Sequence, residues 1–292
     1  MLEAGSLDEP AAGSAGLPNL AFPDTWAERL AGWHFDDADA LVAAARDGRH
    51  QAEDLLGADE LPAGQRFLER LRDALARNRA ALVTYPTLLS VKTAAFLVGQ
   101  LLGGFAERSV PPLREPVIFN RDARAAAQWH TDGVVWRQPA PWAVLGQVRP
   151  MPDATDLPTT ILDLAHVVAD WADDPQHLEV LRRTRVEWRT IPVVGAGRIP
   201  PLSAPVLDEH GVRWHATLRQ HELASAEPDS FARACQAFRR ALDASSGKRD
   251  IVVGPGTLLV WDNRRVVHHG PAVPDDSPRT MIVLSAGGGI CD

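Results

Sequence analysis

The chain has 292 residues, 45% apolar and 23% charged, with a formal net charge of −8. Those totals are the make-up of an ordinary soluble globular protein, long enough for one large domain or two ordinary ones. The acidic balance excludes a nucleic-acid groove as the main business, since phosphate binding needs a concentrated basic surface, and no apolar run approaches the roughly 20 residues of a membrane span.

The first twenty residues, "MLEAGSLDEPAAGSAGLPNL", carry acids where a secretory leader needs basic residues, and they lack its apolar centre. Their Ala, Gly, Ser and Pro content reads as a flexible lead-in. The expected organisation is a flexible segment over 1–20, then one domain over 21–292 with a helical first part and a β-rich core over about 115–287. Cys235 and Cys291 are the only cysteines, too few for a disulfide framework and not spaced as a zinc site. A cytoplasmic location is expected.

In chain order, "DTWAERLAGW" and "ADALVAAARDG" have helical apolar spacing, with Asp24 as N-cap of the first. "GQRFLERLRDALARNRA" puts Phe67, Leu68, Leu71 and Leu75 on one side. "ALVTY" reads as a short strand and "LSVKTAAFLVGQLLGGFAE" as a buried helix. From about residue 115 the pattern turns to short β segments: "EPVIFN", "WHTDGVVW", "WAVLGQVRP", "TTILDL", "RVEWRTIPVV" and the hairpin-like "APVLDEHGVRWHAT". One helix, "PDSFARACQAFRRALDAS", precedes "DIVVGPGTLLVWDN", "RVVHHG" and "RTMIVLSAG". Many short strands with Gly/Pro turns predict a barrel or a double-sheet jelly roll with helices packed outside it, a mainly β fold with flanking α.

Within that β-rich part, "AQWHTDGVVW" places His130 and Asp132 two apart, which on a strand turns both side chains to one face. A core pair, an acid–base pair or two metal ligands would all fit. With ten histidines and 38 acidic residues, about one chance His-x-Asp/Glu match is expected. His34/Asp36 and His177/Glu179 also match, but they lie in or beside helical runs, where positions i and i+2 do not face each other. They read as solvated surface. "PGTLLVWDNRRVVHHG" supplies His268 and His269 after an apolar strand, and a third ligand from a distant strand would complete a two-His, one-carboxylate iron site. Eleven residues past His268, Arg279 opens the strand "RTMIVLSA", suited to holding a carboxylate bidentately.

"WHTD" at 129–132 and "WDNRRVVHH" at 261–269, with Arg279, resemble the TauD/TfdA family of Fe(II)- and 2-oxoglutarate-dependent dioxygenases over roughly residues 115–287. The resemblance implies a double-stranded β-helix of jelly-roll type. It implies Fe(II) held by His130, Asp132 and His268, and 2-oxoglutarate anchored by Arg279 and a threonine. That threonine is Thr159 or Thr160, since "DLPTTILDL" lacks the family's Gly-Gly-Asp-Thr. With O2, 2-oxoglutarate would become succinate and carbon dioxide while a C–H bond of a small organic substrate is hydroxylated, desaturated or cyclised. An amino acid or an intermediate of specialised metabolism is the expected substrate, and a homo-oligomer is compatible with the sequence.

Several family members carry a second Arg four residues after the first. Val283 stands there, which argues against a taurine-like sulfonate. Asp132 argues against a halogenase, whose relatives carry a small residue in its place. The rival is a non-catalytic binding protein on the same scaffold, which would have little reason to keep all four residues. Trp136, Arg137 and Trp142 in "VVWRQPAPW" are candidate substrate contacts.

Overall fold

The computed structural model describes residues 16–33, 51–104, 128–149, 157–171, 175–188, 202–215, 228–271 and 280–287. The expected helix "ADALVAAARDG" and strand "EPVIFN" lie outside them. The helical first part comprises β1 (Asn19–Ala21), α1 (Thr25–Leu30), α2 (Ala52–Leu56), α3 (Leu61–Asn78), β2 (Ala80–Thr84) and α4 (Val91–Leu101). Then follow β3 (Trp142–Arg149), β4 (Thr159–Asp163), α5 (Leu164–Asp170), α6 (Pro175–Arg183), β5 (Val186–Trp188) and β6 (Leu202–Ala204). The chain continues through β7 (Leu207–Asp208), β8 (Gly211–Val212), α7 (Pro228–Ala244), β9 (Arg249–Ile251), β10 (Thr257–Asp262), β11 (Val266–His269) and β12 (Thr280–Ala286).

The helices form where the spacing requires. In α3, Phe67, Leu71 and Leu75 recur every four residues and are buried, with Leu68 packed against the same core at its edge. Ser90 caps α4 by accepting from the Thr93 N–H at 3.0 Å. Asp24 holds the N-cap position of α1, but its backbone is already helical and its side chain makes no capping bond. An N-cap side chain reaches the first-turn amides from an extended backbone, so the expected cap does not form there.

A five-stranded sheet runs β1-β2-β10-β3-β12, with β1 and β2 parallel and its other pairs antiparallel. A three-stranded antiparallel sheet runs β11-β4-β9. Alternation sorts the second sheet's side chains. Ile161, Ile251 and Val266 enter a core shared with Ala80, Leu82, Ala143, Leu145, Leu259, Trp261 and Met281 of the first sheet. Leu162 and Val267 turn the other way, onto Phe231, Ala234, Phe238 and Leu242 of α7. The two sheets therefore share one apolar interior; α5–α7 cover the outer face of the smaller sheet and α1–α4 that of the larger. Within "APVLDEHGVRWHAT", whose last two residues lie outside the described ones, the expected hairpin forms as β7 paired with β8. No described helix is long and apolar enough to cross a membrane.

The expected strand over "WHTDGVVW" is the main local departure. Only His130 makes a β-bridge there, and residues 132–135 turn. Gly133 sits at φ +69°, a left-handed conformation that breaks the pleat, and the Trp136 N–H closes the turn on the Gly133 carbonyl at 2.9 Å.

Candidate metal centre

Because the strand is broken, His130 and Asp132 do not meet through i, i+2 alternation. The bridge brings the two histidines together instead. His130 and His268 exchange both backbone hydrogen bonds, each at 2.9 Å, so they stand directly opposite each other with side chains on one face. Their ring centroids are 4.2 Å apart. The turn then carries the Asp132 carboxylate back toward them, with Oδ2 3.8 Å from His268 Nε2. Ligand atoms of His130, Asp132 and His268 all lie within 4.8 Å of one another.

Each member is prepared differently. His130 Nδ1 lies 3.0 Å from the Gln128 carbonyl. A carbonyl only accepts, so the proton belongs on Nδ1 and Nε2 keeps its lone pair, as a metal ligand needs. His268 is 7% exposed and its ring packs 4.8 Å from that of Trp261. Burial, with His130 and His269 nearby, holds its imidazole well below the ordinary pKa, hence neutral and able to ligate. Asp132 keeps 26% of its side-chain surface, yet its Oδ2 is buried with no hydrogen-bond partner. Burial pushes that carboxyl pKa up, against the opposing influence of His130. A buried carboxylate oxygen without a partner is costly unless a cation neutralises it. The two imidazoles and one carboxylate are a donor set suited to Fe(II) with open positions.

His269 faces the opposite way from His268, its ring 4.5 Å from that of Trp129. Trp129 in turn donates through Nε1 to Asp243 of α7 at 3.0 Å, fixing this segment to the helical layer. The β4–β11 register separates the two threonines. His268 pairs with Ile161 and His269 with Thr160, so Thr159 shares the His268 face and Thr160 the opposite one. Thr160 Oγ1 donates to Asp250 Oδ1 at 2.6 Å. Trp136 is 7% exposed and packs over Gly133, while Arg137 is exposed one residue further on. Trp142 pairs with Asp262 on the face opposite Ala143 and lines a separate cavity of about 650 Å³ with Arg79, Asp163 and Arg264. Arg279, His34 and Asp36 lie outside the described residues. His177 stacks on Trp171 and Glu179 pairs with Arg183, both away from the centre.

Two residues beside the centre escaped sequence reasoning. Asn263 is 1% exposed and grips both backbone groups of Asp132: its Oδ1 accepts from the Asp132 N–H and its Nδ2 donates to the Asp132 carbonyl, each at 3.1 Å. Its place in "WDNRR" was the available signal. His215, whose ring lies 6.0 Å from that of His130, had none.

The model of the family described as "Taurine catabolism dioxygenase TauD, TfdA family" matches residues 51–285. No curated protein sequence matches the chain. Among solved structures, the non-heme iron oxygenase OrfP with Fe, succinate and (3S)-hydroxy-L-Arg is similar at 19% identity and TM-score 0.59, over 92% of this chain and 93% of that one. OrfP with Fe and alpha-ketoglutaric acid aligns at 18% identity and TM-score 0.57, over 92% and 94%. OrfP with Fe and L-Arg aligns at 18% and 0.57, over 92% and 93%. At such identities the likeness is one of fold. The family match spans most of the chain, including the bridge, the turn and both histidine-bearing segments: the chain belongs to the TauD/TfdA family of dioxygenases.

Proposed function

We propose that the protein is an Fe(II)- and 2-oxoglutarate-dependent oxygenase on a double-stranded β-helix, oxidising a small organic substrate of the amino-acid class. The observation that carries this reading is the buried, unpartnered Asp132 Oδ2 facing two imidazoles whose ligand atoms lie within 4.8 Å. Membership of a dioxygenase family and the similarity to an oxygenase crystallised with Fe and L-Arg support it. His130, Asp132 and His268 would hold the metal. Bound iron with 2-oxoglutarate and O2 supplies the power to oxidise a C–H bond, releasing succinate and carbon dioxide. The chain's own share is placement and exclusion of water. Trp261, fully buried beside His268, closes the interior side of the centre.

Thr159 and Arg279 are assigned to 2-oxoglutarate, Thr159 because its register puts it on the His268 face. Thr159→Val and Arg279→Gln should weaken 2-oxoglutarate binding, the arginine more, by about 2–5 kcal/mol if the charge pair is desolvated. Thr160→Val should leave that binding unchanged and cost only about 1 kcal/mol of stability, from the lost bond to Asp250. Anaerobic titration of the three variants and thermal melts check both halves.

The function itself is tested by succinate release. The Fe(II)-loaded protein should convert 2-oxoglutarate to succinate faster with at least one member of a panel of L-amino acids, L-arginine included, and one product should gain an oxygen atom or lose two hydrogens. Succinate at background level across the panel, with no modified amino acid by mass spectrometry, would remove the amino-acid class.

A further inference from the structure

The Asp132 carboxylate is aimed by its backbone. With no hydrogen bond at Oδ2, its direction follows from where the 132–136 turn sits. Asn263 grips that turn at its start. Its far side is held by Arg213, just after β8, which is 2% exposed. The guanidinium donates to two carbonyls of the turn and to that of the residue after it: Val134 at 3.2 Å, Trp136 at 2.5 Å and Arg137 at 2.8 Å. Its Nε lies 3.5 Å from Asp208 Oδ2, which balances the buried charge. The backbone carrying Arg213 is itself tied down. Its own N–H donates to the Val206 carbonyl at 2.8 Å, and the Thr131 N–H donates to the Trp214 carbonyl at 2.8 Å.

We infer that Arg213 is a positioning residue for the metal carboxylate, holding the turn after Asp132 in its metal-ready form before any metal binds. This rests on reading His130, Asp132 and His268 as the metal ligands. A planar five-donor fork can serve three carbonyls and one carboxylate at once, which a lysine ammonium with three donors cannot. A ligand held in its bound geometry beforehand loses less freedom on binding, so the grip appears as metal affinity. Asp208 belongs to the same device, because without its charge the buried guanidinium is less firmly seated.

The test uses the full-length apoprotein with Co(II) as the probe, read by visible absorption and calorimetry, and amide hydrogen exchange over residues 132–136 without metal. Arg213→Lys should raise the Co(II) dissociation constant by about 10–100-fold, the range for groups that orient metal ligands. The same amides should exchange at least about tenfold faster. Asp208→Asn, which keeps the guanidinium, should shift both readings in the same direction by less, and it carries the test if the lysine variant does not fold. Leu71→Ala, a core truncation in α3 far from the turn, should lower the melting temperature while leaving the Co(II) constant within about twofold. Unchanged affinity and exchange in the Arg213 and Asp208 variants would overturn the inference, as would loss of Co(II) affinity in Leu71→Ala matching its loss of stability. If the parent protein bound no Co(II), the ligand assignment itself would fall.

Discussion

Asp132→Ala should abolish iron binding and, in the same protein, stabilise the metal-free fold at neutral pH. The two effects have one origin. The carboxylate is the only anionic ligand in the triad, and its removal leaves two neutral imidazoles to hold a dication. The loss of affinity should exceed the 10–100-fold seen when a merely orienting group is removed. Without metal, the same carboxylate is a liability, because its Oδ2 is buried and unpaired. Its pKa is raised in the folded state from an ordinary value of 3.8. The folded protein therefore binds more protons than the unfolded chain between 3.8 and the raised value. The contribution of Asp132 to apoprotein stability should be full below 3.8 and be lost as pH rises through its folded-state pKa. Asp132→Ala should lose that pH dependence and melt higher than the parent apoprotein above the window. Calorimetry of both apoproteins across pH, beside iron content after anaerobic loading, measures the pair of effects. A variant that kept iron, or that melted lower at neutral pH, would contradict the assignment.

His268→Ala should lose iron and turnover, whereas its neighbour His269→Ala should keep most of both. Strand β11 decides this. Val266 points into the core between the sheets, His268 on the same face packs against Trp261 of that core, and His269 turns out against Trp129. A one-residue change of register would exchange the roles of the two histidines. The two-bond bridge to His130 fixes that register from one side and the pairing of β11 with β4 fixes it from the other. His269→Ala gives up an edge-to-face contact worth about 0.5–1.5 kcal/mol, which should appear as a slightly lower melting temperature and not as lost metal. Metal analysis of the two purified variants separates them, and equal loss of iron in both would mean that β11 is placed wrongly.

Much of the centre was legible because metal chemistry restricts residue type. His130, Asp132 and His268 stand out once the two motifs are read together: spacing from Trp261 in the family pattern selects His268, and strand alternation turns His269 to the other face. The route by which they meet was not legible. The i, i+2 argument needed a strand where Gly133 makes a turn, and the actual juxtaposition comes from a bridge between residues 138 positions apart. Side chains that act on distant backbone leave no local pattern. Asn263 holds Asp132 across 131 positions, and Arg213 reaches carbonyls 76–79 positions away. Neither contact has a periodicity to detect. That Thr159 and not Thr160 shares the His268 face likewise needed the register of β4 against β11, which pairs segments about a hundred residues apart. Elements defined by their own apolar spacing, such as α3, α4 and β10, lie where the sequence put them because burial of one face decides their type.

Anaerobic addition of Fe(II) and then 2-oxoglutarate to the apoprotein would test whether this centre binds iron and chelates the oxoacid. A visible metal-to-ligand charge-transfer band should appear only when both are present, saturate at one iron and one 2-oxoglutarate per chain, and be absent in Asp132→Ala and His268→Ala. A parent protein that developed no band with both components present, or a band of full intensity in either variant, would contradict the assignment of iron and 2-oxoglutarate to His130, Asp132 and His268.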